Sequence, residues 1–120
     1  MKNFWNWFLD NQHSFKNLIN ETSQNQSYII YWIKQNLNYY CRELDFMIVF
    51  PKTSTDRFEL IITANGNPEY FKQVIDLMDN APVLKTWKFT ASIDSKETIE
   101  KRINKLEHPL IIQDINLKQD

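Results

Sequence analysis

Phe58-Glu59-Leu60-Ile61-Ile62-Thr63-Ala64-Asn65-Gly66-Asn67-Pro68 is the stretch that decides the fold, and Glu69-Tyr70-Phe71 behind it opens an amphipathic run to Ala81. Phe58, Leu60, Ile62 and Ala64 alternate along an extended segment, which reads as a strand with one buried face. Gly66 is the only glycine among 120 residues. Lacking a Cβ, it takes positive φ at low steric cost and makes a turn that other residues resist. Asn67 is placed to cap the following helix, and Pro68 fits its first turn, where a missing N–H costs nothing. The stretch therefore hands a strand over to a helix.

Working outward, that helix spans about 68–80. Tyr70, Phe71, Val74, Ile75, Leu77, Met78 and Ala81 form its buried side, and Pro82 stops it. Upstream, Leu44, Phe46, Ile48 and Phe50 alternate along a strand ended by Pro51, with a polar hairpin loop over 52–56. Residues 3–21 read as one helix through Phe4, Phe8, Phe15, Leu18 and Ile19, and a second runs from about Ser27 to Cys41. Downstream, Trp87, Phe89, Ala91 and Ile93 alternate along a third strand. Asp94 or Ser95 then caps a short charged helix, with Glu97 completing a capping-box pattern after Asp94, and Leu110 to Leu117 makes a last strand.

The order is α-α-β-β-α-β-α-β in a single α+β domain over 1–120. A hairpin followed by a helical crossover gives a mixed four-stranded sheet, and one-sided alternation predicts helices packed on one face only.

Composition bounds function. The 14 basic and 15 acidic residues leave a formal net charge of −1, which gives no basic field for nucleic acid or an anionic membrane. A single cysteine, Cys41, forms no intramolecular disulfide and fits a reducing, cytoplasmic setting. No apolar run approaches the ~18 residues of a membrane span. His13 and His108 lie far apart, with no second ligand at metal spacing, and no Ser-His-Asp, Cys-His or Gly-x-Ser-x-Gly arrangement occurs, so no metal, cofactor or catalytic set is expected. Trp87-Lys88-Phe89 interleaves rings with a cation, but the rings share the parity of the core and the fragment is not an RNA-stacking surface.

Two features remain as binding candidates. The Asn65-Gly66-Asn67 turn stands at a strand end and a helix start, where free N–H groups hold anions, although phosphate cradles carry several glycines and a following Lys-Ser/Thr. The second helix carries two apolar sides. Ile29, Ile33, Leu37 and Tyr40 share one, while Tyr28, Trp32 and Tyr39 cluster nearly opposite. Trp5 and Trp7 of the first helix point about 160° apart and do not share one narrow stripe. Tyr28, Trp32, Tyr39 and Trp5 are therefore the expected partner-binding residues, since Trp and Tyr anchor interfaces.

Glu59 to Asn67, then Phe71, Val74, Ala81-Pro82, Leu84 and Trp87-Lys88-Phe89, preceded by Phe4-Trp5-Asn6-Trp7-Phe8, resembles an uncharacterised family of small proteins from Bacteroidota-type bacteria. The resemblance covers residues 4–91. From Ser92 onward the chain departs, because the family continues with a basic, proline-containing segment and further strands, whereas Ile93-Asp94-Ser95-Lys96 opens a charged helix. The resemblance implies the fold and carries over no catalytic residue.

The function expected from these readings is a non-catalytic intracellular protein-binding module rather than an enzyme, with a bacterial immunity- or antitoxin-like role as one version. Its partner is another protein, neither nucleic acid nor membrane. A small ligand-binding or enzymatic domain with its site at Asn65-Gly66-Asn67 is the alternative, and a homodimer through the sheet face or an edge strand is a third reading.

Overall fold

The computed structural model describes residues 2–51, 56–104 and 110–112. Helix α1 spans Lys2–Lys16 and passes through a 3-10 turn at Leu18–Asn20 into α2, Ser23–Tyr40. Strands β1, Asp45–Phe50, and β2, Phe58–Thr63, pair antiparallel with Met47 opposite Ile61. A 3-10 turn at Pro68–Tyr70 leads into α3, Phe71–Asp79, and the chain returns as β3, Trp87–Ser92, parallel to β2. Helix α4, Lys96–Asn104, follows.

The result is an α+β fold around a mixed sheet of three six-residue strands in the order β3-β2-β1. The expected full fourth strand over Leu110–Leu117 is not shown. Only Leu110–Ile112 aligns with β1, antiparallel and opposite Ile48 to Phe50, and residues 113–117 lie outside the described residues.

The opening junction forms by the chemistry its residues dictate. Gly66 takes φ +87° and Asn65 joins it at φ 54°, one of the few side chains that tolerate the left-handed region. The Asn67 side chain accepts the Glu69 N–H at 3.0 Å, with Pro68 beginning the turn after it.

Helix ends depart from expectation where capping outweighs apolar periodicity. The second helix begins at Ser23 rather than Ser27, because Thr22 Oγ1 accepts the Asn25 N–H at 3.2 Å and anchors a polar first turn. At the start of α4, Ser95, one of the two expected candidates, is the cap, its Oγ accepting the Thr98 N–H at 3.2 Å. Asp94 takes the Arg102 guanidinium instead.

The main core lies between one sheet face and helices α1, α2 and α3. Phe46, Ile48, Leu60, Ile62 and Trp87 meet Phe4, Phe8, Phe15, Ile33, Leu37, Val74 and Leu77 there. The expectation that helices cover one face only is corrected by α4. Its Ile99 and Ile103 pack with Met47 and Ile61 on the opposite face, with Val49 beside them. Both parities of β1 are apolar, so a second cover removes from water what one helical layer would leave exposed.

Polar contacts fix α4 in place. Buried Asp45 at the start of β1 meets Lys34 of α2 at 2.8 Å and Lys96 of α4 at 3.4 Å, and also accepts the Phe46 N–H at 2.9 Å. Asn65 Oδ1 accepts the Lys96 backbone N–H at 3.0 Å, so the left-handed turn after β2 caps the helix that returns over it. Thr63, fully buried, donates its hydroxyl to the Asp94 carbonyl.

Candidate partner-binding face

Helix α2 divides its side chains as its sequence dictates. Ile30, Ile33 and Leu37 are buried against the sheet. On the far side, Tyr28, Trp32 and Tyr39 are 64%, 39% and 84% exposed, and Tyr31 stands between them at 54%. Three of the rings contact edge to face, Tyr28 with Trp32 at 6.2 Å between centroids and Tyr31 with Trp32 at 5.3 Å, while Tyr39 stands two turns further along. Over its 18 residues α2 carries one formally charged side chain, Lys34, and that cation is held by Asp45. The ridge is therefore aromatic and carries no formal charge.

Trp5 does not join it. This residue, expected at the partner surface, is only 3% exposed. Its ring packs edge to face on Phe4, Phe8 and Phe89. The indole N–H donates to the Leu77 carbonyl at 2.8 Å, so the polar atom that would otherwise hold the ring near water is satisfied inside. Trp7, turned the other way, takes the place beside α2. It contacts Phe4 and Phe15 and, with Asn11, Ser14, Tyr28, Ile29 and Trp32, lines a groove of about 300 Å³ between α1 and α2. The near-opposite directions of Trp5 and Trp7 were legible in the sequence. Which one would turn inward was not, because the deciding acceptor sits 72 positions away.

The Asn65-Gly66-Asn67 turn has its donors spent. The Asn65 N–H goes to Thr63 Oγ1 at 3.0 Å, the Gly66 N–H to the Ile93 carbonyl at 2.7 Å, and the Asn67 N–H to the Ala64 carbonyl at 3.1 Å. Ser95 Cβ lies 3.7 Å from the place a Gly66 Cβ would take. An anion there would have to displace internal bonds, so the turn joins β2 to α4 rather than offering a cradle.

A second opening of about 170 Å³ lies between α4 and the outer sheet face. Its polar groups also bond within the protein, Thr90 donating to Glu59 at 2.5 Å and Arg102 pairing with Asp94. Among the described residues, no three His, Cys, Asp or Glu side chains gather to hold a metal ion, and no helix is long and apolar enough to cross a membrane. Cys41 is half-buried, with its thiol 3.9 Å from the Glu43 carboxylate.

Comparison with known proteins yields no family model, no curated protein and no solved structure that matches the chain.

Proposed function

We infer that this chain is a non-catalytic protein-binding module that engages its partner through Tyr28, Tyr31, Trp32 and Tyr39 of α2. One observation carries the reading: these large rings stand in water on a helix that already buries its other side, and its one cation is paired elsewhere. Exposed large apolar groups gathered in one patch mark contact surfaces, whereas singly scattered ones do not. Tyr and Trp contribute the most contact area for the least lost rotamer freedom. A cytoplasmic setting accords with the single unpaired thiol. An immunity- or antitoxin-like role is the version that a toxin gene directly beside this one in the genome would support.

The test is site-specific photocrosslinking. A photoreactive phenylalanine analogue at position 39, expressed in the native host, is expected to give one dominant protein adduct that Trp32→Ala removes. An adduct pattern unchanged by Trp32→Ala, or no adduct, overturns the reading.

A further inference from the structure

The groove beside the ridge narrows what the partner presents. We propose that it receives an uncharged, proline-rich segment in the extended polyproline conformation, an inference that rests on α2 being the partner-binding face.

Four observations converge on that chemistry. The first is ring geometry. Trp32 meets Tyr28 at 73° and Tyr31 at 84° between ring planes, so the rings stand upright against one another instead of stacking flat. Tyr28 and Trp32 on one wall of the groove and Trp7 on the other leave a slot between the walls for flat, stiff units. Proline fills such a slot and has almost no side-chain entropy to lose, whereas a long flexible side chain would be ordered at a cost.

The second is the donor supply. A polyproline helix makes no internal hydrogen bonds, and its prolines offer carbonyl oxygens and no N–H. Its binding site needs donors. Among the described residues, no protein acceptor takes the indole N–H of half-buried Trp7 or of Trp32, which is 39% exposed, in contrast to Trp5, whose N–H is spent on Leu77. Ser14 adds a hydroxyl at the groove.

The third is charge. The residues lining the groove carry no formal charge, and the one cation of α2 is bound to Asp45. A charged peptide would lose hydration there and find no counter-charge, while a proline-rich one has none to lose.

The fourth is reach. The α2 wall of the groove runs from Tyr28 to Trp32, a rise of about 6 Å. About two residues of polyproline helix, at 3.1 Å each, span that length. A short proline stretch is therefore enough to fill it.

Acetylated, amidated decaproline is the probe, titrated into isotope-labelled protein while the indole N–H signals are followed by NMR. The chain has four tryptophans, two on the groove and two buried, so the spectrum contains its own control. The expected result is that the Trp7 and Trp32 signals move in a saturable way while those of Trp5 and Trp87 stay. Trp32→Ala is expected to weaken binding about tenfold or more. A Gly-Ser peptide of equal length should move nothing. Decaproline causing no shift at millimolar concentration, or the Gly-Ser peptide matching it, overturns the proposal. A mass that doubles with concentration and reverts in Trp32→Ala also overturns it, because a second copy would then occupy the groove. If decaproline fails while the Trp32-dependent adduct persists, the binding face stands and only the proline assignment falls. If both fail, the face itself is refuted.

Discussion

Trp5 donates its indole N–H to the Leu77 carbonyl across 2.8 Å, tying the first helix to the last turn of α3. That carbonyl also accepts the backbone N–H of Asn80, so one oxygen closes α3 and fastens α1 to it. Replacing Trp5 with Phe removes the donor, leaves part of the acceptor's bonding capacity unmet and opens a small void. The expected loss is about 1–3 kcal/mol. A urea midpoint unchanged from the wild type would show that the bond holds nothing.

The joint between α2, β1 and α4 rests on Asp45. This side chain is 11% exposed and meets two lysines, which are themselves partly open to water. Asp45→Ala takes this carboxylate from both lysines and is expected to cost about 2–4 kcal/mol, below the full penalty of a deeply buried pair. Lys34→Met and Lys96→Met singly are expected to cost less, since each leaves Asp45 with one counter-charge. A double-mutant cycle by chemical denaturation checks the coupling. Additive effects would mean that the two lysines act independently.

A side chain at position 66 would be strained by conformation rather than by space. A Cβ would meet Ser95 Cβ at an ordinary 3.7 Å, but φ is +87°. Gly66→Ala is therefore expected to destabilise by about 1–2 kcal/mol. Asn65→Gly keeps the turn but removes the oxygen that takes the Lys96 N–H, which should fray α4 with little effect on α3. Amide exchange at Lys96 through Thr98 reads that difference, and uniform fraying of both helices would contradict it.

Alkaline pH should loosen the fold through Tyr40. Burial first, then the charge of Asp76, with a smaller push from Cys41, raises the Tyr40 phenol above its ordinary value of 10.0. Its hydroxyl donates to the Gln73 carbonyl at 2.7 Å, a bond that requires the proton. The folded state thus keeps a proton that the unfolded chain has released. The stabilisation is complete below about pH 10 and disappears as pH rises through the folded-state value. Tyr70, raised chiefly by Glu43, and Lys72, raised chiefly by its bond to Asp76, act in the same direction. Tyr40→Phe is expected to lower stability at neutral pH and to flatten its fall above pH 10. An unaltered alkaline slope in that variant would remove Tyr40 from the account.

The junction at 65–68 was legible because its residues admit few alternatives. A lone glycine, a capping asparagine and a proline in sequence leave little else to build. The two-sided character of α2 was legible for the same reason, as 18 residues of clear periodicity place Ile33 and Trp32 on different sides. The second cover over the sheet was missed although a signal for it existed. Phe46-Met47-Ile48-Val49-Phe50 is apolar on both parities, the pattern of a strand shielded twice, whereas the alternation of Leu44, Phe46, Ile48 and Phe50 points to one face alone. The fate of Trp5 and of the Asn65-Gly66-Asn67 donors was not available locally. Each depends on a distant acceptor, Leu77 in one case and Ile93 in the other, and no periodicity carries such a pairing.

An aromatic helix face without formal charge also sets how a binding partner would arrive. With the Lys34 ammonium held by Asp45, that face supplies little long-range field for screening ions to weaken. Encounter there would proceed without electrostatic steering, at rates that neither climb in dilute buffer nor collapse in concentrated salt. Residence time, set by how well the rings are covered, would then govern affinity.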